Sequence, residues 1–256
     1  MMNSRNLERA APFVLLVALV ALWQLVCSVF AIPEFIFPSP VLIGQALAEF
    51  TGPIALAAWQ TFWVTLVGFG LSIVVGVLLG FLVGSTRFAY AAVFPLLVAF
   101  NAVPKAAIVP ILVVWFGIGL GPGILTAFLI SFFPITVNMA TGLATLEPEL
   151  EDVLRVLGAK RRDVLMKVGL PRSLPFFYAS LKVSITLAFV GTVLAEMTAG
   201  DAGIGYLMQT AGSQQRLALA FAGLVVIGAM AMAMYELFSY VEKHTTAWAH
   251  RGSHDA

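Results

Sequence analysis

Five stretches of this chain contain no Asp, Glu, Lys, Arg or His: residues 10–33, 50–86, 88–104, 106–146 and 217–235. No other feature restricts the fold so tightly. About twenty consecutive apolar residues cross the hydrocarbon core of a bilayer as a helix. A backbone in lipid must satisfy its own polar groups, which only helices and closed barrels do. The runs are rich in Leu, Val and Ala and lack the two-residue alternation of barrel strands, so they predict an all-α membrane protein. Only 11% of residues are charged, against roughly a quarter in a soluble domain.

The runs resolve into six transmembrane helices, at 11–31, 59–84, 90–116, 124–143, 175–198 and 217–240. The run 106–146 is too long for one helix, and GIGLGPG at 117–123 supplies the turn that splits it. Three prolines in IPEFIFPSP disfavour helix at the start of the loop 32–58, and a short amphipathic segment at 41–50 follows on the membrane surface. The chain divides into an N-terminal helix and outside loop (1–58), a core domain (59–240) and a tail (241–256). An even number of spans puts both termini on one side. Arg5, Arg9, Arg87, the 145–174 loop, Lys243 and Arg251 share that side, whereas Arg216 is the one base opposite. The positive-inside rule makes the basic side cytoplasmic. The first apolar stretch exceeds a signal-peptide core and is expected to be a retained helix.

Six of the fourteen basic residues sit in the loop after Leu146: Arg155, Lys160, Arg161, Arg162, Lys167 and Arg172. Thr145 is a candidate N-cap, with Glu147, Pro148 and Glu149 in the first turn. Leu150, Val153, Leu154 and Leu157 then recur at helical spacing on one apolar face, and Gly158 is the residue type that ends such a helix in a left-handed turn. A second amphipathic segment, 160–168, places Val164, Leu165 and Val168 opposite its bases. Leu170 and Pro171 close the unit and Pro175 opens the next span. The composition also fits an interfacial helix drawn to anionic lipid headgroups.

Within the spans, Pro104 and Pro110 release the carbonyls of Phe100 and Ala106. Beside them lie Asn101 and Lys105. A charge near the bilayer centre costs about 2.5–3.5 kcal/mol on the insertion scale. Lys105 therefore either lines a pathway or is neutralised by snorkelling or by a nearby carbonyl. Glu196, before the turn Gly200–Gly205, either braces that turn or meets substrate, and snorkelling accounts for Lys182. Ser72, Gly76, Gly80 and Gly84 form a small-residue stripe, as do Gly191, Ala195 and Ala199. Such stripes let helices approach closely, within one chain or between subunits.

The reactive inventory is thin. No GxxxxGK[ST] is present to cradle ATP phosphates, and neither GxSxG nor HExxH occurs. The single Cys27 leaves no internal disulfide or cysteine metal cluster. His250 and His254 belong to a solvated tail, not a metal site. A net charge of +1 gives no reason to expect nucleic acid as a partner. No catalytic constellation emerges. An ion-coupled secondary transporter would want several buried acids, and the spans offer Glu196.

The loop resembles the EAA loop of ABC importer permeases, E-A-A-x3-G-x9-I-x-L-P. Asp152 takes the Glu position, Val153 and Leu154 replace the two alanines, Gly158 matches the glycine, Val168 the Ile, and Leu170 and Pro171 the closing pair. FPSP at 37–40, VPKAAIVPILVVWFGIG at 103–119, LGAKRRDVLMKVGLPRSLP at 157–175, AEM at 195–197 and GIGYLM at 203–208 resemble permeases of the nitrate, sulfonate and taurine branch. The resemblance implies a type I importer (MetI-like) fold with a cytoplasmic coupling helix at 150–159, Ala159 included. It implies a homodimer of this permease in the inner membrane, cytoplasmic ATPase subunits that carry ATP and Mg, and a periplasmic binding protein. This chain itself would bind no cofactor. The implied solute is a small sulfonate, taurine or nitrate-type anion, with a pyrimidine or riboflavin precursor as the alternative. Asn101, Pro104, Lys105 and Glu196 are the pathway candidates.

Overall fold

A computed structural model describes residues 4–144, 153–154 and 156–246. Its described elements are all helical. Helix α1 (Ser4–Val29) reaches a turn where Ala31 takes a positive φ of 44°. Short helix α2 (Pro40–Glu49) follows, with Ser39 as N-cap and Pro40 at its first position. Proline is favoured there because that N–H has no helical partner. Ile43 and Ala46 are buried, and α2 packs against the last helix instead of floating on the membrane surface. Trp23, Phe37 and Phe221 pack together at this junction with tilted and edge-on rings.

Helix α3 (Thr51–Gly84) starts well before residue 59, because nothing between 51 and 58 breaks a helix and Pro53 lies in its first turn. The third span is not one helix. Helix α4 (Arg87–Ala102) stops at Val103, a 3-10 turn covers Lys105–Ile108, and α5 (Val109–Phe116) departs at 71°. The break falls at Pro104, since the residue before a proline is pushed out of the α region, and Val103 is extended at φ −66°, ψ 127°. Pro95 stays inside α4, and Pro110 sits in the first turn of α5. The released carbonyls find donors: the Val103 N–H reaches Phe100 O and the Val109 N–H reaches Ala106 O.

Gly117 (φ 77°) and Gly119 (φ 129°) turn the chain into α6 (Leu120–Ala144), whose first turn absorbs Gly121, Pro122 and Gly123. After the loop, an α-helical turn (Arg161–Val164) passes through a π-helical segment (Leu165–Gly169) directly into α7 (Leu170–Ala199). The second loop segment is therefore an extension of the span, and neither Leu170–Pro171 nor Pro175 marks a boundary. The wider π turn ends with the Leu170 N–H on Leu165 O, and Pro171 then falls where its missing donor costs nothing. Helix α8 (Ile204–Ser213) is too short to span, and α9 (Leu217–Thr245) returns across the bundle. Five helices are long and apolar enough to cross a membrane, six passes if the bent pair counts as one.

The core is the triple α3, α6 and α7. Both small-residue stripes are spent inside the chain. A Cβ on Gly76, Gly80 or Gly84 would sit under 3.0 Å from Ile135, Met139 or Ala140, and one on Gly191 would strike Ala127. Ser72 Oγ and Ser131 Oγ meet at 2.6 Å across the α3–α6 contact. Removing side chains lets dispersion and such hydrogen bonds act at short range, which lipid does not compete away. Helix α4, by contrast, buries none of its residues.

Candidate functional site

The loop that carries the basic residues is described from Val153 onward, except Arg155; Thr145, Glu147, Pro148, Glu149, Leu150 and Asp152 lie outside the described residues. Val153, Leu154 and Val156 are helical. The helix ends where the Ala159 N–H donates to Leu154 O at 3.0 Å and Gly158 takes φ +86°. This six-to-one bond around a left-handed glycine is a Schellman C-cap. No atom would obstruct a Cβ on Gly158, so the glycine is required by its backbone angle and not by space. Lys160 then caps the next turn: its N–H donates to the Asp163 carboxylate and its carbonyl accepts from Asp163 and Val164.

The apolar face divides in two. Leu154 turns toward Val164 and Val168, lining with Leu157 and Lys167 an open hollow of about 250 Å³. Val153 (56% exposed), Val156 (87%) and Leu157 (77%), the last at the rim of that hollow, are exposed. Val156, which the leucine spacing does not select, is the most open of the three. Leu170 is half-buried, and Pro171 lies in the first turn of α7.

Lys105 does not reach across the bundle. Its Nζ donates to Asn101 O and to Asn101 Oδ1, both at 2.8 Å, and lies 5.9 Å from the Phe100 ring centre. A cation on the last carbonyls of α4 complements the negative end of that helix. Asn101, Pro104 and Lys105 are thus brought together, on the poorly covered α4 side.

Glu196 is elsewhere, 7% exposed between α3, α7 and α8. Thr61 Oγ1 donates to its carboxylate at 2.9 Å, and the Gly205 N–H donates to Oε2 at 2.9 Å. The Ile204 N–H in turn donates to Thr61 Oγ1 at 2.8 Å. Two side chains thereby hold the first turn of α8, whose free N–H groups suit an anion. The glycines around it are spatial necessities: a Cβ on Gly200 or Gly205 would lie under 3.0 Å from Glu196, and one on Gly203 (φ 95°) would strike the carboxylate itself. The glycine spacing of the 200–205 turn is the sequence signal for this cradle. Thr61 left no signal, being one of many hydroxyls in apolar helices. Lys182 is not a snorkelling lysine either. It pairs with Glu242 of α9 at 2.7 Å, with both side chains largely buried and Tyr235 alongside.

No group of three metal-ligating side chains occurs among the described residues. The arrangement offers a projecting apolar edge with a fixed exit angle at one end and a hydrogen-bonded brace at the other. Among the described residues it holds no converging nucleophile and base.

Residues 72–245 match the family model described as "Binding-protein-dependent transport system inner membrane component". A probable ABC transporter permease protein of Haemophilus influenzae is 34% identical over 88% of this chain and 91% of its own length. The formylaminopyrimidine transport permease protein of Halalkalibacterium halodurans is 26% identical over 95% of this chain and 98% of its own. A putative aliphatic sulfonates transport permease protein of Bacillus subtilis is 26% identical over 90% and 84%. Among solved structures, an inward-facing form of the MetNI methionine ABC transporter superposes with a TM-score of 0.67 at 18% identity, over 77% of this chain and 98% of the other. That likeness establishes a MetI-like fold.

Proposed function

The chain belongs to the family of binding-protein-dependent transport system inner membrane components, the permeases of ABC importers for small solutes, and from that premise we propose how its parts divide the work. The edge of Val153, Val156 and Leu157 is the contact with a cytoplasmic ATPase subunit, and Gly158 sets the angle at which the chain leaves it. One observation carries this reading: three apolar side chains close together in the chain are exposed beside a basic stretch. ATP and Mg reside on the ATPase. Two copies of this chain enclose the pathway in an inner membrane, both termini cytoplasmic, and a periplasmic binding protein delivers the solute. The uninterrupted helix from Arg161 to Ala199 carries movement of the loop to the brace at Glu196. Nucleotide state then selects between two packings of the bundle.

For the solute, two classes compete. A small nitrogen heterocycle of the pyrimidine-precursor type is supported by the formylaminopyrimidine permease, similar over nearly its whole length. It is supported also by the state of Lys105, whose ammonium is already engaged by Asn101. A sulfonate, taurine or nitrate-type anion is the second reading, supported by the Bacillus relative and by the sequence motifs. Uptake of labelled formylaminopyrimidine and labelled taurine by cells with and without the gene separates them. Gene-dependent, ATP-dependent accumulation of the pyrimidine supports the first, and accumulation of taurine alone overturns it. Uptake that survives ATP depletion contradicts the ABC mechanism altogether.

A further inference from the structure

The geometry points to Tyr206 and Gln209, on the open face of α8, as residues that line an aqueous solute pathway. Helix α8 has ten residues, roughly 15 Å, half of a hydrocarbon core about 30 Å thick. It lies between two spans and packs on α9, α7 and α3. Its start is deep and its end is shallow. Gly223 lies roughly 10 Å along α9 from Arg216 at 1.5 Å per residue, and a Cβ there would stand 2.7 Å from Met208 and 3.2 Å from Ile204. At the other end, the Arg216 N–H donates to Ala211 O. Tyr206 and Gln209 therefore sit below the level of Arg216, inside the bilayer.

The large side chains that other helices expose at such depths are apolar or aromatic: Leu56, Trp59 and Trp63 on α3, which meets the start of α8 at Thr61, and Leu224 and Val225 on α9. Helix α8 instead exposes Tyr206, Gln209 and Ser213, one stripe at i, i+3, i+7. Ser213 Oγ and the neighbouring Thr210 Oγ1 satisfy themselves on backbone carbonyls. The Tyr206 hydroxyl and the Gln209 amide have no partner among the described residues. A polar group open to hydrocarbon costs several kcal/mol, so this stripe faces water. The cradle of Thr61 and Glu196 fixes the first turn of the same helix, which holds the two side chains in place. An aromatic ring and an amide one turn apart suit a small planar solute with hydrogen-bonding edges.

This inference rests on the permease reading, and its test reads water access separately from transport. Cys27 is the sole cysteine and is buried, so Tyr206→Cys, Gln209→Cys and, as a lipid-face control, Leu224→Cys are made in a Cys27→Ala chain within the whole importer. A charged, membrane-impermeant methanethiosulfonate is the probe. It is expected to modify positions 206 and 209 about tenfold faster than 224, because thiolates form in water and not in lipid. Supplying or exhausting ATP is expected to change that rate. Modification no faster than at 224, or spontaneous disulfide formation between two copies at 209, overturns the proposal. Because both side chains are exposed, substitution leaves the packing intact. As a second measurement, Gln209→Leu is expected to lower uptake about tenfold at an unchanged protein level, and unaltered uptake also overturns it. Absence of ATP-driven uptake in the unsubstituted chain would instead refute the transport reading and leave the labelling result standing.

Discussion

Thr61 and Glu196 lie 135 residues apart in sequence, yet the Thr61 hydroxyl donates to the Glu196 carboxylate at 2.9 Å while accepting the Ile204 N–H at 2.8 Å. One hydroxyl thus serves a buried acid and a helix N-terminus together. Thr61→Val keeps the shape and removes both bonds. An unsatisfied buried group costs about 1–3 kcal/mol, more when charged. The variant is expected to melt several degrees lower in detergent and to be cleaved faster by protease at the 200–203 turn. Thr61→Ser should behave like the unsubstituted protein. Equal melting of Thr61→Val and Thr61→Ser would show that the brace contributes nothing.

Gly158 is demanded by φ +86° alone, since a Cβ there meets nothing. An L-residue in that region costs about 1–2 kcal/mol, and a β-branched one more. Gly158→Val is expected to insert into membranes normally but to lose both co-purifying ATPase and uptake. Gly158→Asn, which tolerates the left-handed region, should retain much of each. A Gly158→Val chain that transports and holds its ATPase normally would remove the turn from the coupling contact.

Lys105 is tied to the end of α4 through Asn101. Lys105→Met leaves the Asn101 carbonyl without its cation, at a cost of about 0.3–1 kcal/mol for a terminal charge. Stability should hardly change. Uptake should fall if the broken turn lines the pathway, and Asn101→Leu should produce the same phenotype. Unaltered uptake in both would leave the pair a helix cap and nothing more.

How much of this is readable beforehand depends on the range of the interaction. The spans are legible because lipid imposes a composition on every residue of them. Gly158 is legible too, because a C-cap is a local event of six residues. The break of the third span is only half legible. Its three prolines are visible, but Pro95 stays inside α4 while Pro104 ends the helix, although both restrict the residue before them in the same way. Nothing local pairs Glu196 with Thr61 or Lys182 with Glu242. The choice between intramolecular and intersubunit use of the Gly76–Gly80 stripe also needs the facing helix, here α6.

That stripe gives a sharp packing test. A Cβ on Gly80 would come within 2.6 Å of Met139 Cβ and 2.8 Å of Thr136 O, and backbone cannot retreat far in a close-packed interior. Gly80→Leu is expected to lower the yield of folded protein sharply, since overpacking typically costs about 1–3 kcal/mol, occasionally more, and here the added atoms meet backbone. Gly70→Leu on the same helix, where nothing lies within 4 Å, should accumulate normally. Equal expression of the two would contradict the α3–α6 contact.

The pair Lys182–Glu242 joins α7, the helix continuous with the loop, to α9 near the latter's end. Both side chains are mostly buried, so removing one strands the other in a poorly solvated site. Breaking such a pair costs about 3–5 kcal/mol, whereas replacing both partners with apolar residues is often close to neutral. Lys182→Met and Glu242→Leu are each expected to destabilise the protein in detergent, and the double variant to recover most of the loss. A double-mutant cycle read from unfolding midpoints supplies the coupling energy. If the pair also anchors the moving rod against α9, the double variant should regain stability without regaining uptake. Strictly additive single effects would mean that the two charges do not sense one another, and that α7 is held to α9 by apolar packing alone.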